Sequence, residues 1–237
     1  MKKLAALAVI ISVSLFAKPA FAQTVDEIIN KNIAAMGGRE KILSLSTLNM
    51  TGVFTATGDT AAIPITVTKK HLIGSRIDIT ANNTNNYQLI TPMGGWIFTP
   101  VQGDKVPRPL ADDQFKAAQV QLNLHGPFIN SKAKGIKVEK AGTDEVNGSM
   151  CYILKVTSPN NNVTLYYIDS KSGFIVKTST KVFQFGKLEV VETTFSNYKQ
   201  NAEGYWLAYE NITQRGKTIY RDIVANFPTD DKIFKIK

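Results

Sequence analysis

Cysteine is almost missing from this chain. Cys151 is the only one in 237 residues, so no disulfide can form within it. The fold must be held by burial, for which a chain of this size has enough apolar surface. Histidine is nearly as scarce. His71 and His125 stand in unrelated contexts, one at a strand end after Lys69-Lys70, the other beside Gly126-Pro127. Neither has a second histidine or a carboxylate at metal-ligand spacing, so no metal site is expected. There is no Gly-x-Ser-x-Gly elbow, no phosphate-cradling loop and no His-Glu-x-x-His. Asp112-Asp113 and Asp230-Asp231 are adjacent pairs whose side chains diverge, which suits caps and turns. Cys151 lies in the apolar run Met150-Cys151-Tyr152-Ile153-Leu154 and reads as a small core residue. These absences leave no catalytic constellation and no cofactor motif. The expectation is a protein that is not an enzyme.

Long apolar runs are also absent, with one exception at the start. Lys2 and Lys3 precede an apolar stretch over residues 4–16, interrupted only by Ser12 and Ser14, and Ala20-Phe21-Ala22 comes after it. A basic start, a short apolar core and small residues at the two positions a signal peptidase reads make a cleavable secretory signal. Cleavage after Ala22 leaves Gln23 first. The run falls short of the roughly 20 residues that span a bilayer, and Pro19 breaks any helical continuation beyond it. The expected division is a signal peptide over residues 1–22 and a single domain over 23–237, working in the periplasm.

Charge is scattered. The formal net charge is +9, and loss of residues 1–22 removes three lysines and no acid, leaving +6. No dense basic run and no nucleic-acid motif occurs, so nucleic acid is not an expected partner. The lysines read as a solvated surface, with attraction to an anionic membrane surface or an acidic partner as the sharper alternative.

What is present is periodicity. Thr24-Val25-Asp26-Glu27 fits a capping box. Val25, Ile28, Ile29, Ile33 and Met36 then share a helical face, and Gly37-Gly38 ends the helix. A second helical piece is expected over 39–45. From Thr47 the period becomes two: Leu48, Met50 and Phe54, then Ile63, Ile65 and Val67, then Ile77 and Ile79 alternate with polar residues. Such runs, with Gly, Asn and Asp between them, predict an antiparallel meander. Residues 101–109 read as a loop. Residues 112–124 read as a helix with Asp112 as N-cap and Phe115, Ala118 and Leu122 on its apolar face. Strands resume over 136–140, 150–157, 163–169, 174–182, 188–198, 205–215 and 218–227.

A long antiparallel sheet with few helices must curl over something. Either its sides close on packed side chains, or they enclose an apolar cavity covered by the helices. Candidate cavity residues are Met50, Phe54, Leu89, Trp96, Phe98 and Tyr167 on the strands, with Phe115 and Leu122 on the inserted helix.

Three stretches carry a resemblance. They are residues 25–45 with Met36-Gly37-Gly38 and Glu40-Lys41-Ile42, the strand–turn–strand Tyr166-Tyr167-Ile168-Asp169-Ser170-Lys171-Ser172-Gly173-Phe174-Ile175-Val176-Lys177, and Glu203-Gly204-Tyr205-Trp206-Leu207. The chain resembles the periplasmic lipoprotein carriers and outer-membrane lipoprotein-sorting proteins of the LolA-like fold. That resemblance implies a mainly β (α+β) domain. Its single antiparallel sheet would be curled into an incomplete β-barrel, with an N-terminal helix and inserted lid helices over an apolar cavity. It implies lipid or lipoprotein acyl chains as ligand, envelope proteins as partners and transient membrane contact. It also implies an arginine that locks the lid, for which Arg76 and Arg108 are placed. The leading function is a periplasmic carrier of lipid or lipoprotein acyl chains. The alternative is a sensor or protein-interaction domain on the same fold, its interior filled.

Overall fold

The computed structural model describes residues 23–184 and 187–236. The signal-peptide reading falls on residues 1–22 and lies outside them.

Helix α1 spans Val25–Ala35 and opens on the expected capping box. Thr24 Oγ1 accepts the Glu27 N–H at 3.3 Å, and the Glu27 carboxylate accepts the Thr24 N–H at 2.7 Å. Each satisfies a donor the first turn leaves free. Ile28 is fully buried, and Asn32 donates to the Gly173 carbonyl at 2.8 Å, tying the helix to a distant turn. Gly37 and Gly38, at φ 99° and 91°, turn the chain into the short helix α2, Arg39–Leu43.

Six strands come next: β1 Thr47–Ala56, β2 Ile63–Lys70, β3 Gly74–Ala81, β4 Thr84–Thr91, β5 Gly94–Phe98 and β6 Arg108–Pro109. The stretch expected as plain loop therefore contains a two-residue edge strand, paired Trp96 to Pro109 and Ile97 to Arg108. After it stands α3, Asp112–Ala118, continued by a 3-10 turn over Gln119–Leu122. The inserted helix is thus shorter than its sequence pattern suggested. Its N-cap is Ala111, which makes no side-chain cap, and Asp112 lies in the first turn.

Seven more strands complete the sheet: β7 Lys137–Val146, β8 Ser149–Thr157, β9 Val163–Asp169, β10 Ile175–Gln184, β11 Lys187–Gln200, β12 Trp206–Thr213 and β13 Gly216–Ala225. β7 runs well beyond its expected end. Only Asn147-Gly148, both at positive φ, form the turn to β8, as a tight hairpin requires.

Among the described residues, one sheet of thirteen strands has the order β6-β5-β4-β3-β2-β1-β13-β12-β11-β10-β9-β8-β7. It is not one meander but two wings. They join where the first strand meets the last, in register Leu48 to Ala225 and Met50 to Ile223. A bulge between Thr51 and Gly52 shifts that register. A Cβ at Gly52 would overlap the Ile219 carbonyl, so glycine is required there. β6 and β7 end the sheet without pairing to each other. The result is a curled, incomplete barrel. The main core sits on the concave face at the join, where Leu48, Met50, Val67, Tyr209 and Ile223 pack together. A second core seats α1 through Ile28 on Leu154, Tyr166 and Ile168.

Candidate functional site: a lidded cavity in the concave face

Alternation and register decide which side chains share the concave face. Ile97, Gln88, Ile77, Val67, Met50 and Ile223 form one cross-strand row through the first wing and across the join. In the second wing Val156, Thr164, Thr180 and Val191 form another. β-branched residues suit such strands, and each threonine presents a methyl while its hydroxyl finds a neighbour. The Thr164 and Thr180 hydroxyls lie 2.9 Å apart.

The inserted segment covers this face. Phe115, Ala118 and Leu122 pack with Leu110 on Ile90. A Cβ at Gly95 would come 2.8 Å from Leu110, 3.0 Å from Ile90 and 3.2 Å from Phe115, so the missing side chain lets the segment sit down on β5. On its other side α3 abuts β10, and so bridges the two wings. Its exit is tied to the β2–β3 turn. Leu72 N–H donates to the Leu122 carbonyl at 2.8 Å, and Ser75 Oγ to Gln121 Oε1 at 3.3 Å.

Beneath the lid lies a cavity of about 1420 Å³. Ile77 and Ile97 wall it from the first wing, Val156, Tyr166, Thr180 and Val182 from the second, and Ala117 and Val120 from the lid. It reaches the surface at the turns carrying Asn160, Gln214 and Arg215. It exceeds the roughly 300–1,000 Å³ of ordinary small-molecule sites. Burial pushes the Tyr166 phenol up to about 12.

None of the eight sequence candidates is among the residues lining this cavity. Met50 and Phe54 lie on the concave face, in the core at the join of the wings. Phe115 and Leu122 attach the lid to its wing. Leu89, Trp96 and Phe98 fall one position out of step with Gln88 and Ile97, and therefore on the convex face. The C-terminal 3-10 turn Asp231–Phe234 covers that face, and a Cβ at Gly74 would overlap the Phe234 ring. Tyr167 is likewise convex, packed with Val146 and Cys151, while its neighbour Tyr166 faces inward. The lining residues missed by sequence reasoning were hidden by that one-residue step and by being threonine and glutamine.

The two arginines placed as lid locks do not touch the lid. Arg76 grips Asp78 through Nε at 2.9 and 3.0 Å and lies 4.0 Å over the Tyr87 ring, on the convex side. Arg108 pairs with Asp104 at 2.7 Å. Asp104 is held down at about 2, first by that bond, then by those from Thr99.

The histidines are not unrelated. The His71 and His125 rings stack with centroids 3.7 Å apart, at 25°. Leu124 N–H donates to His71 Nδ1 at 3.2 Å, just past the lid. Burial, then His125 and Lys134, hold the His71 imidazole below the usual histidine range. Burial pushes the Cys151 thiol up, away from nucleophilic use. No three metal-ligating side chains converge among the described residues.

A curled antiparallel sheet, open between its edge strands, with one helix seated inside and another across its mouth, defines a half-barrel architecture. Its fold is LolA-like. A LolA superfamily protein of Nitrosomonas europaea superposes with a TM-score of 0.56 at 17% identity, covering 90% of this chain and 98% of its own. A structure described as an outer membrane lipoprotein-sorting protein domain, from Vibrio parahaemolyticus, gives 0.54 at 14%, covering 88% and 94%. A DUF1329 family protein of Desulfovibrio piger gives 0.51 at 9%, covering 89% and 97%. No protein-family model matches the chain, and no curated protein matches it.

Proposed function

We propose that the chain is an exported carrier that holds the acyl chains of a lipid or lipoprotein in the concave cavity. Residues 1–22 serve as a leader cleaved after Ala22, and residues 23–237 are one periplasmic domain. The observation that carries this reading is the cavity itself, about 1420 Å³ and roofed by a segment that bridges both wings. Its wall mixes aliphatic, threonine and glutamine side chains, with Lys116, Glu189 and Arg215 also on its lining. Each methylene moved there from water contributes about 0.8 kcal/mol. Met50, Phe54, Phe115 and Leu122 form the packed frame around it. The domain binds and releases; it does not turn over a substrate.

The Vibrio parahaemolyticus domain, of the same fold, is described as lipoprotein-sorting. Outer-membrane lipoprotein sorting, with envelope proteins as exchange partners and brief membrane contact, is the particular role we put forward. Native mass spectrometry of protein purified without detergent tests the reading. Copurified lipid, or stoichiometric uptake of added phospholipid or fatty acid, supports it. A chain that carries none and takes up none is no carrier, and the partner-binding alternative then stands in its place.

A further inference from the structure

Strands β10 and β11 outrun their neighbours. The ladder from β10 to β9 ends at Thr180, and that from β11 to β12 ends at Thr193. Beyond these, residues 181–184 pair only with residues 187–190, as a ribbon of two strands. Four residue pairs carry it about 13 Å past the strands beside it. Such a ribbon is marginal in water unless something packs on it. On the concave side something does: Val182 is 9% exposed, and α3 lies against β10. The convex side has nothing. Val190 pairs with Lys181 and alternates with the concave Val191, so Val190 and Leu188 face outward, 50% and 66% exposed.

The ribbon stands at the rim of the cavity. Glu189 and Val190 are on the cavity lining, with Asn160, Gln214 and Arg215 of the turns where the cavity reaches the surface. Gln214 Nε2 donates to the Val190 carbonyl at 3.0 Å, which sets Arg215 beside the ribbon. Lys181, Lys187 and Arg215 are exposed, and among the described residues none of them joins an ion pair. Glu189, on the concave side, is the one carboxylate in the ribbon. A stable protein interface takes roughly 800 Å² from each partner, far more than one side of so short a ribbon presents. A lipid surface asks for no matching shape. It accepts aliphatic side chains below its headgroups and cations among them.

We propose that this ribbon docks the open end of the half-barrel on an anionic phospholipid bilayer. Leu188 and Val190 enter the interface, and Lys181, Lys187 and Arg215 meet the lipid phosphates. The inference rests on the carrier reading and gives its membrane contact a place. Docked in this way, the cavity mouth faces the bilayer, and an acyl chain passes between the two without being exposed to water along its length.

The test uses the protein expressed from the full-length chain and purified without detergent. Co-sedimentation with vesicles of phosphatidylethanolamine and phosphatidylglycerol is compared with vesicles of phosphatidylcholine alone. The anionic vesicles are expected to bind about tenfold more tightly. Lys181→Gln and Lys187→Gln should each weaken that binding about fivefold. Leu188→Asp should weaken it about tenfold or more, on both vesicle types. A polarity-sensitive fluorophore on Leu188→Cys should brighten on anionic vesicles, while the native Cys151 is buried and stays unlabelled. The same label on Met93→Cys, 90% exposed in the β4–β5 turn at the opposite end of the sheet, should not. Equal binding to the two vesicle types, unchanged binding in Leu188→Asp, or brightening at Met93 in place of Leu188 overturns the docking. Hexadecanoic acid delivered from cyclodextrin bypasses the bilayer, so Leu188→Asp should take it up as the unmodified protein does. A protein that takes up the acid and binds no vesicle keeps the carrier reading, loses the docking, and leaves the ribbon to a protein partner. A protein that binds anionic vesicles through Leu188 and takes up no acid keeps the lipid-binding surface and loses the carrier reading.

Discussion

His71 and His125, separated by 54 positions in sequence, stack face to face at 3.7 Å and fasten the end of the lid segment to the β2–β3 turn. The Leu124 N–H needs the lone pair on His71 Nδ1, so this ring is neutral in the folded protein, with its proton on Nε2. His125 Nε2, 3.0 Å from the Leu45 carbonyl, holds the second ring.

Acid should loosen this fastening. The folded-state pKa of His71 lies below its unfolded value, first because of burial, so the unfolded chain takes up the proton more readily. The contribution is fully present above the usual histidine range and declines as pH falls through and below it. A melting temperature that drops between about pH 7 and 5, with the drop reduced in His71→Phe, is the expected outcome. Identical pH profiles for the two proteins would remove the fastening role.

Gly95→Ala should lift the lid without unfolding the sheet. The added Cβ would press on Leu110, Ile90 and Phe115. Bound lipid should leave faster, as stopped-flow transfer to acceptor vesicles would measure. The far-ultraviolet circular dichroism should be unchanged.

The two faces of the strands should separate cleanly under mutation. Thr180→Glu places a carboxylate in the cavity wall and should abolish lipid uptake while the protein still folds. Trp96→Ala and Tyr167→Ala, on the convex face, should each lower stability by about 2–4 kcal/mol and leave uptake intact. Denaturant titration paired with a lipid-uptake assay distinguishes them.

Gly52→Ala should be among the most damaging single changes in the chain. Its Cβ has no room beside Ile219, at the bulge that joins the wings. A loss above about 4 kcal/mol, or failure to accumulate folded protein, is expected by urea denaturation.

Much of the fold was legible because it is locally encoded. Thr24 and Glu27 announce a capping box, and the box is there. The alternation from Thr47 gives strands, and β9 begins and ends where its pattern does. Which face of a strand turns inward is not encoded locally. On β4 both faces are covered, one by the C-terminal turn and the other by the lid, so period two alone cannot choose Gln88 over Leu89. Nor does any local signal report that β1 pairs with β13, or that two distant histidines meet. The cavity wall was missed for a related reason. Its threonines are read as polar, although in a strand they offer a methyl group to whatever lies against them.

The join between β1 and β13 also fixes an order of events. Each wing is built of hairpins whose strands succeed one another closely, so each can form as its own piece of chain becomes available. The strand that unites them is the last of the thirteen to be made. Until Gly216–Ala225 arrives, the inner edge of the first wing lies bare along β1, a row of free amide and carbonyl groups open to any passing strand. A nascent or truncated chain lacking its final twenty or so residues should therefore be prone to aggregate and dependent on a holding chaperone, even though every residue of the cavity wall is already present.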